Sequence, residues 1–157
     1  MKYILTILLL ATFANASYAI YFTGLKLGDI ENFDTLKNNH LEAKFTNSIA
    51  RFLLGKDKFI YYDENDYVGK KNDENTKYKK DKYGIITILK KASSNNLKNE
   101  RIVVKKEKYV DVELKDNYKF KYTSKGKVKS DGFFIMKDGK LVTLEETMNN
   151  IKIVKNP

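Results

Sequence analysis

The chain has 157 residues, a formal net charge of +10 and no cysteine. Without cysteine, disulfide bonds, thiolate metal sites and thiol redox chemistry are excluded. The length is that of one ordinary domain behind a leader. A domain of this size buries about two-thirds of its unfolded surface and needs no disulfide or metal ion for stability.

The N-terminus has the pattern of a cleavable secretory signal peptide. Lys2 supplies a positive charge and Ile4 to Phe13 forms an apolar core, followed by small residues. A membrane-spanning helix needs ~20 apolar residues, about twice this run. No cysteine follows the core, so lipoprotein modification is excluded. We therefore expect a bacterial periplasmic or secreted protein that does not span a membrane after cleavage.

Two cleavage positions fit the small residues. Ser17 and Ala19 suit a cut after Ala19, and Ala14 and Ala16 suit a cut after Ala16. The second cut leaves little room after the apolar core. We therefore predict a signal peptide over 1–19 and a single β-rich domain over 20–157.

The basic charge has two explanations. A positive field favours acidic lipid headgroups or polysaccharide as partners. However, Arg51 and Arg101 are the only arginines among 30 basic residues, whereas arginine is expected where phosphates are recognised bidentately. No specific nucleic-acid site is therefore predicted. Abundant lysine and asparagine also arise in AT-rich genomes without selection for binding.

The first part of the domain mixes helix and strand patterns. Ile30, Phe33 and Leu36 recur every three residues behind Asp29, which predicts a short helix. Alternation from Leu41 to Phe45 predicts a half-buried strand.

The next stretch is ambiguous, since 47–54 has helical spacing but could also continue the strand to a turn at Gly55. Lys58 to Tyr62 is a strand either way. Residues 47–63 resemble the first hairpin of small periplasmic OB-fold proteins, which implies an OB-like barrel as an alternative fold.

Residues 63–82 are rich in charge, Asn and Gly. A connection this long without structure is uncommon in a compact domain. Its few aliphatic side chains favour a polar, mobile loop.

From Tyr83 onward the pattern is nearly all strand. Tyr83 to Leu89 is apolar on both faces, which predicts a central strand, and 92–99 is a polar loop. Further strands are predicted at 101–106, 109–114, 118–129, 132–137, 140–144 and 150–154. Asp138-Gly139 is a strong hairpin signal. The fold class is therefore mostly β with one or two short N-terminal helices, as an antiparallel sandwich or small barrel.

Lysines alternate along 118–129. On one continuous strand they would share a face, at spacings of about 6.6 Å, and could lie along an anionic surface. A turn at Ser124-Lys125-Gly126 would instead break the row, leaving an ordinary solvated face. The candidate contacts are Lys119, Lys121, Lys125, Lys127 and Lys129.

The 132–144 hairpin is apolar on both faces. A two-residue turn would pair Ile135 with Val142 and Phe133 with Leu144. The other face contains Phe134, Met136 and Leu141. One face must pack on the core, and the other must meet a helix, a cavity or another protein.

No catalytic, cofactor or metal residues are assigned. His40 is the only histidine and lies in a polar Asn38-Asn39-His40 turn, and no nucleophile motif or phosphate-binding glycine loop is present. We expect a non-enzymatic binding or envelope-associated protein with a basic surface, whose partner is anionic lipid, polysaccharide or another periplasmic protein. The alternatives are a structural subunit that uses the 132–144 hairpin as its interface, and a carboxylate-based hydrolase.

Overall fold

The computed structural model describes residues 17–31, 33, 35–36, 40–54, 58–62, 67–71, 74–78 and 84–157. The first half contains β1 (Tyr18–Phe22), β2 (Leu25–Ile30), β3 (His40–Phe45), α1 (Ser48–Leu54), β4 (Lys58–Tyr62), β5 (Tyr67–Lys71) and β6 (Glu74–Tyr78). The second half contains α2 (Ile85–Ser93), β7 (Glu100–Lys105), β8 (Lys108–Leu114), β9 (Tyr118–Ser124), β10 (Lys127–Lys137), β11 (Lys140–Glu146) and β12 (Ile151–Lys155).

These strands form one antiparallel sheet in the order β6-β5-β4-β3-β2-β1-β12-β11-β10-β9-β8-β7. Each half of the chain is a meander of sequential neighbours, and the two halves meet where β1 pairs with β12. Helix α2 connects the two outer strands, β6 and β7. The mostly β antiparallel class is confirmed, and the sheet is not closed into a barrel.

The prediction of a central strand at Tyr83 to Leu89 is wrong. Ile85, Ile88, Leu89 and Ala92 are buried on one face of α2, the i, i+3, i+4, i+7 spacing of an amphipathic helix. Ile88 and Leu89 are 0 % and 1 % exposed within the hydrophobic core formed with the sheet. Tertiary burial of this stripe therefore overrides the local β-branched preference.

Helix α1 resolves the ambiguous stretch in favour of a helix. The Asn47 side-chain oxygen accepts hydrogen bonds from the backbone N–H groups of Ile49 (2.9 Å) and Ala50 (3.1 Å). This is an N-cap, which satisfies amide donors that the first helical turn leaves free.

The predicted helix over 29–36 is not formed as such. Asp29 and Ile30 are the last residues of β2. Phe33 and Leu36 are buried, and the N–H of Leu36 donates to the carbonyl of Phe33 at 3.0 Å. The periodic apolar residues therefore anchor a short turn to the core, while Asn32 and Asp34 lie outside the described residues.

The interpretation of 63–82 as a loop is wrong for two of its parts. β5 pairs with β4 and with β6 in antiparallel register, so backbone pairing continues where side-chain hydrophobicity is low. Mobility of this segment stays a prediction, and 63–66, 72–73 and 79–82 lie outside the described residues. His40, expected in a turn, is the first residue of β3 and pairs with Tyr62.

Two glycines mark places where neighbouring strands approach closely. A Cβ at Gly28 would overlap the carbonyl oxygen of Lys44, and one at Gly132 would overlap that of Glu145. Register shifts between Ile20 and Tyr21 and between Ile135 and Met136 add β-bulges. Bulges and strand glycines increase sheet curvature, which suits a sheet that packs around α2.

The hairpin turn at Asp138-Gly139 is confirmed, with positive φ angles of 52° and 71°. The expected register is wrong, because the bulge skips Val142. Ile135 pairs with Thr143, and Phe133 pairs with Glu145.

Candidate functional site

The predicted row of five lysines is divided by a turn. β9 ends at Ser124 and β10 begins at Lys127. Between them, Lys125 and Gly126 have φ angles of 52° and 71°. The row is therefore folded into a hairpin, and its two halves have different surroundings.

Lys119 and Lys121 lie on a face of mixed charge. Lys121 is directly opposite Asp111 on one side and Asp131 on the other, and Lys119 is opposite Glu113. These residues line a depression of about 370 Å³. Opposite charges on facing positions attract each other, so the positive field of these two lysines is partly offset by the carboxylates beside them.

The carboxylates of this depression have partners of their own. Arg101 makes a bidentate contact with Asp111 at 2.6 and 3.0 Å, and Lys115 lies 3.1 Å from Glu113. The Asp111 hydrogen bond raises the pKa of the Arg101 guanidinium, which also lies 4.0 Å from the centroid of the Tyr109 ring. Arg101 is thus engaged within the sheet.

The other three predicted lysines join a second group that the sequence analysis did not assign. Lys105 pairs with Lys108, Lys108 with Ser124, and Ser124 with Lys127. The backbone N–H of Lys125 donates to the carbonyl of Glu107 at 2.8 Å, which ties the two hairpin turns together. We define the lysine tip as Lys105, Lys106, Lys108, Lys125, Lys127 and Lys129.

The lysine tip concentrates unneutralised charge. All of its lysines are exposed except Lys108, which is half-buried. In the described part of the chain none of them forms an ion pair, although Lys115 and Lys152 do. Neighbouring strands are ~4.8 Å apart, and like charges facing each other destabilise a sheet. An anionic partner would relieve this repulsion.

Exposed apolar side chains lie at the same end of the sheet. The antiparallel strand directions place the β1–β2, β7–β8, β9–β10 and β11–β12 turns and α1 at this end of the sheet. The N–H of Thr23 donates to the carbonyl of Asn150 at 2.9 Å, joining the first and last of these turns. We define the apolar tip as Phe22 (45 % exposed), Leu25 (45 %), Ile49 (58 %), Phe52 (85 %) and Met148 (53 %).

Phe134, Met136 and Leu141 belong to the interior. Phe134 is 0 % exposed and Leu141 is 4 % exposed, while Met136 is partly buried against the core. The Phe134 ring stacks on Tyr118, with centroids 4.8 Å apart and planes 6° from parallel. The structure brings the three side chains together as packing residues.

Within the described residues, no three His, Asp or Glu side chains form a group able to hold a metal ion. Neither helix in the described part of the chain has the length and apolarity needed to span a membrane. Comparisons with protein-family models, curated proteins and solved structures found no match to this chain.

Proposed function

We propose that this chain is an exported, non-enzymatic protein that docks on the surface of an acidic lipid bilayer through the hairpin end of its sheet. The observation that carries the proposal is the lysine tip, where two paired hairpin turns contain six lysines, and Glu107 is the one acidic residue of the segments 105–108 and 124–129. No bond-making step is assigned to the protein.

Electrostatics supplies the first part of the binding energy. A lysine near an acidic bilayer contributes about 1 kcal/mol. Several lysines at one tip therefore give useful affinity at low salt. This contribution weakens as the Debye length falls from ~10 Å at 0.1 M to ~3 Å at 1 M ionic strength.

The apolar tip favours a bilayer over an acidic polysaccharide. Phe52 and Met148 are 85 % and 53 % exposed at the same end as the lysines. Aromatic and aliphatic side chains beside basic residues are typical of surfaces that lie in a bilayer interface. A soluble polyanion offers such side chains no apolar medium, so their exposure is better explained by lipid.

The experiment is sedimentation of the protein with vesicles. We expect binding to phosphatidylglycerol vesicles, weaker binding as salt rises, and little binding to phosphatidylcholine vesicles. The double variant Phe52→Ser and Met148→Ser should weaken vesicle binding but leave any binding to the acidic polysaccharide alginate unchanged. Preferential binding to alginate, with no effect of that variant on vesicle binding, would contradict the lipid proposal.

Matched lysine variants separate a site from net charge. Lys108→Gln with Lys127→Gln should remove about 2 kcal/mol of attraction, or roughly 30-fold in vesicle affinity. Lys119→Gln with Lys121→Gln changes the net charge equally beside carboxylates, and we expect less than about a threefold loss. Equal losses in the two variants would mean that net charge alone governs binding.

A further inference from the structure

The residues just before the predicted mature N-terminus are part of the folded core. Tyr18 and Ala19 are 4 % and 3 % exposed. The Tyr18 hydroxyl donates to the carbonyl of Leu141 at 2.9 Å. Its ring centroid lies 4.1 Å from that of Phe33. Tyr18 therefore contacts segments from both halves of the chain.

Ser17 is also held in place. The backbone N–H of Asn156 donates to the Ser17 carbonyl at 2.9 Å, and the Asn156 side-chain amide donates to the Ser17 hydroxyl at 2.8 Å. Tyr18 pairs with Ile30 in β2 and with Lys155 in β12. Strand β1 joins the two meanders by pairing with β12. Ser17 and Tyr18 therefore stabilise the place where the two halves of the sheet meet.

From these contacts we infer that the signal peptide is removed after Ala16, so that the mature protein begins at Ser17. Ala14 and Ala16 provide the small side chains that a signal peptidase requires. The spacing of the leader favours a cut after Ala19. That cut would remove the buried Tyr18 side chain, and with it the hydrogen bond to the Leu141 carbonyl. The inference rests on the proposed export of the chain.

Intact-mass analysis of the protein recovered from the periplasm of a bacterium expressing the full chain tests the cleavage position. We expect the mass of a chain whose first residue is Ser17. The mass of a chain that begins at Ile20 would overturn this inference while leaving export intact. An unprocessed chain that retains Met1 would overturn both the inference and the export proposal.

The contribution of Tyr18 to stability is tested separately. Two chains are made without a leader, one that begins at Ser17 and one that begins at Ile20, and their melting temperatures are compared. Loss of the buried Tyr18 ring should lower the melting temperature by at least about 10 °C. Tyr18→Phe in the longer chain is the control, because it keeps the ring and removes only the hydroxyl, so its decrease should be much smaller. Equal melting temperatures for the two chains would overturn the argument from packing.

Discussion

Replacing Phe134 by alanine tests whether the apolar hairpin is part of the core or a docking surface. Phe134 is 0 % exposed, stacks on Tyr118 at 4.8 Å, and lies 6.4 Å from the ring of Phe120. Deleting such a side chain costs about 3–5 kcal/mol through lost burial and the remaining cavity. In a domain of this size that corresponds to a melting temperature lower by roughly 10–20 °C.

The neighbouring residue provides a matched control. Phe133 is half-buried on the opposite face, where it pairs with Lys119 and Glu145. We expect Phe133→Ala to cost about 1 kcal/mol, because less of its ring leaves water. Urea denaturation followed by circular dichroism measures both variants. Equal losses, or a stable Phe134→Ala protein, would refute the placement of Phe134 in the core and favour the interface hypothesis.

Three further substitutions test local features by the same denaturation measurement. Gly132→Ala should lose about 1–3 kcal/mol, because its Cβ would overlap the carbonyl oxygen of Glu145; an unchanged midpoint would argue against the close strand approach. The Ser130 hydroxyl is buried and has no hydrogen-bond partner in the described part of the chain, so Ser130→Ala should keep or raise stability, and a clear loss would reveal an unseen partner. Asn47→Ala should cost about 1 kcal/mol by removing the cap of α1; no loss would mean that the cap is not used in solution.

The sequence predicted strands well where alternation was clear. Leu41 and Ala43 are buried within β3, and the predicted strands at 101–106 and 109–114 correspond to β7 and β8 with boundaries shifted by a residue. In these strands one face meets the core and the other meets solvent, so apolar and polar residues alternate along the sequence with a period of two.

Helix α2 was missed because a short apolar run fits two periods. Ile85, Ile86 and Ile88 are β-branched, which favours a strand. The residue that separates the alternatives is Ala92, which continues the helical stripe one turn beyond Leu89. Packing against the whole sheet decides the conformation, and no local window contains that information.

Only half of the lysine tip was predicted, because the rest of it depends on contacts between strands that a local stretch of sequence does not contain. Lys125, Lys127 and Lys129 were recognised as neighbours along the chain, whereas Lys105 and Lys108 become their neighbours only through the register of β7, β8, β9 and β10. The same register places carboxylates beside Lys119 and Lys121. Pairing between strands, not spacing along one strand, therefore divides the lysines into those that face carboxylates and those that do not.

The most direct test of bilayer docking uses a fluorescent probe at each end of the sheet. Because the chain has no cysteine, Met148→Cys and Leu114→Cys each provide one attachment point for an environment-sensitive dye. Both native side chains are about half exposed, at 53 % and 46 %, but they lie at opposite ends of the strands. With phosphatidylglycerol vesicles, the dye at Met148 should shift to shorter wavelength and become protected from an aqueous quencher, while the dye at Leu114 should stay unchanged. A shift at Leu114, or vesicle binding with no shift at Met148, would contradict docking through the hairpin end.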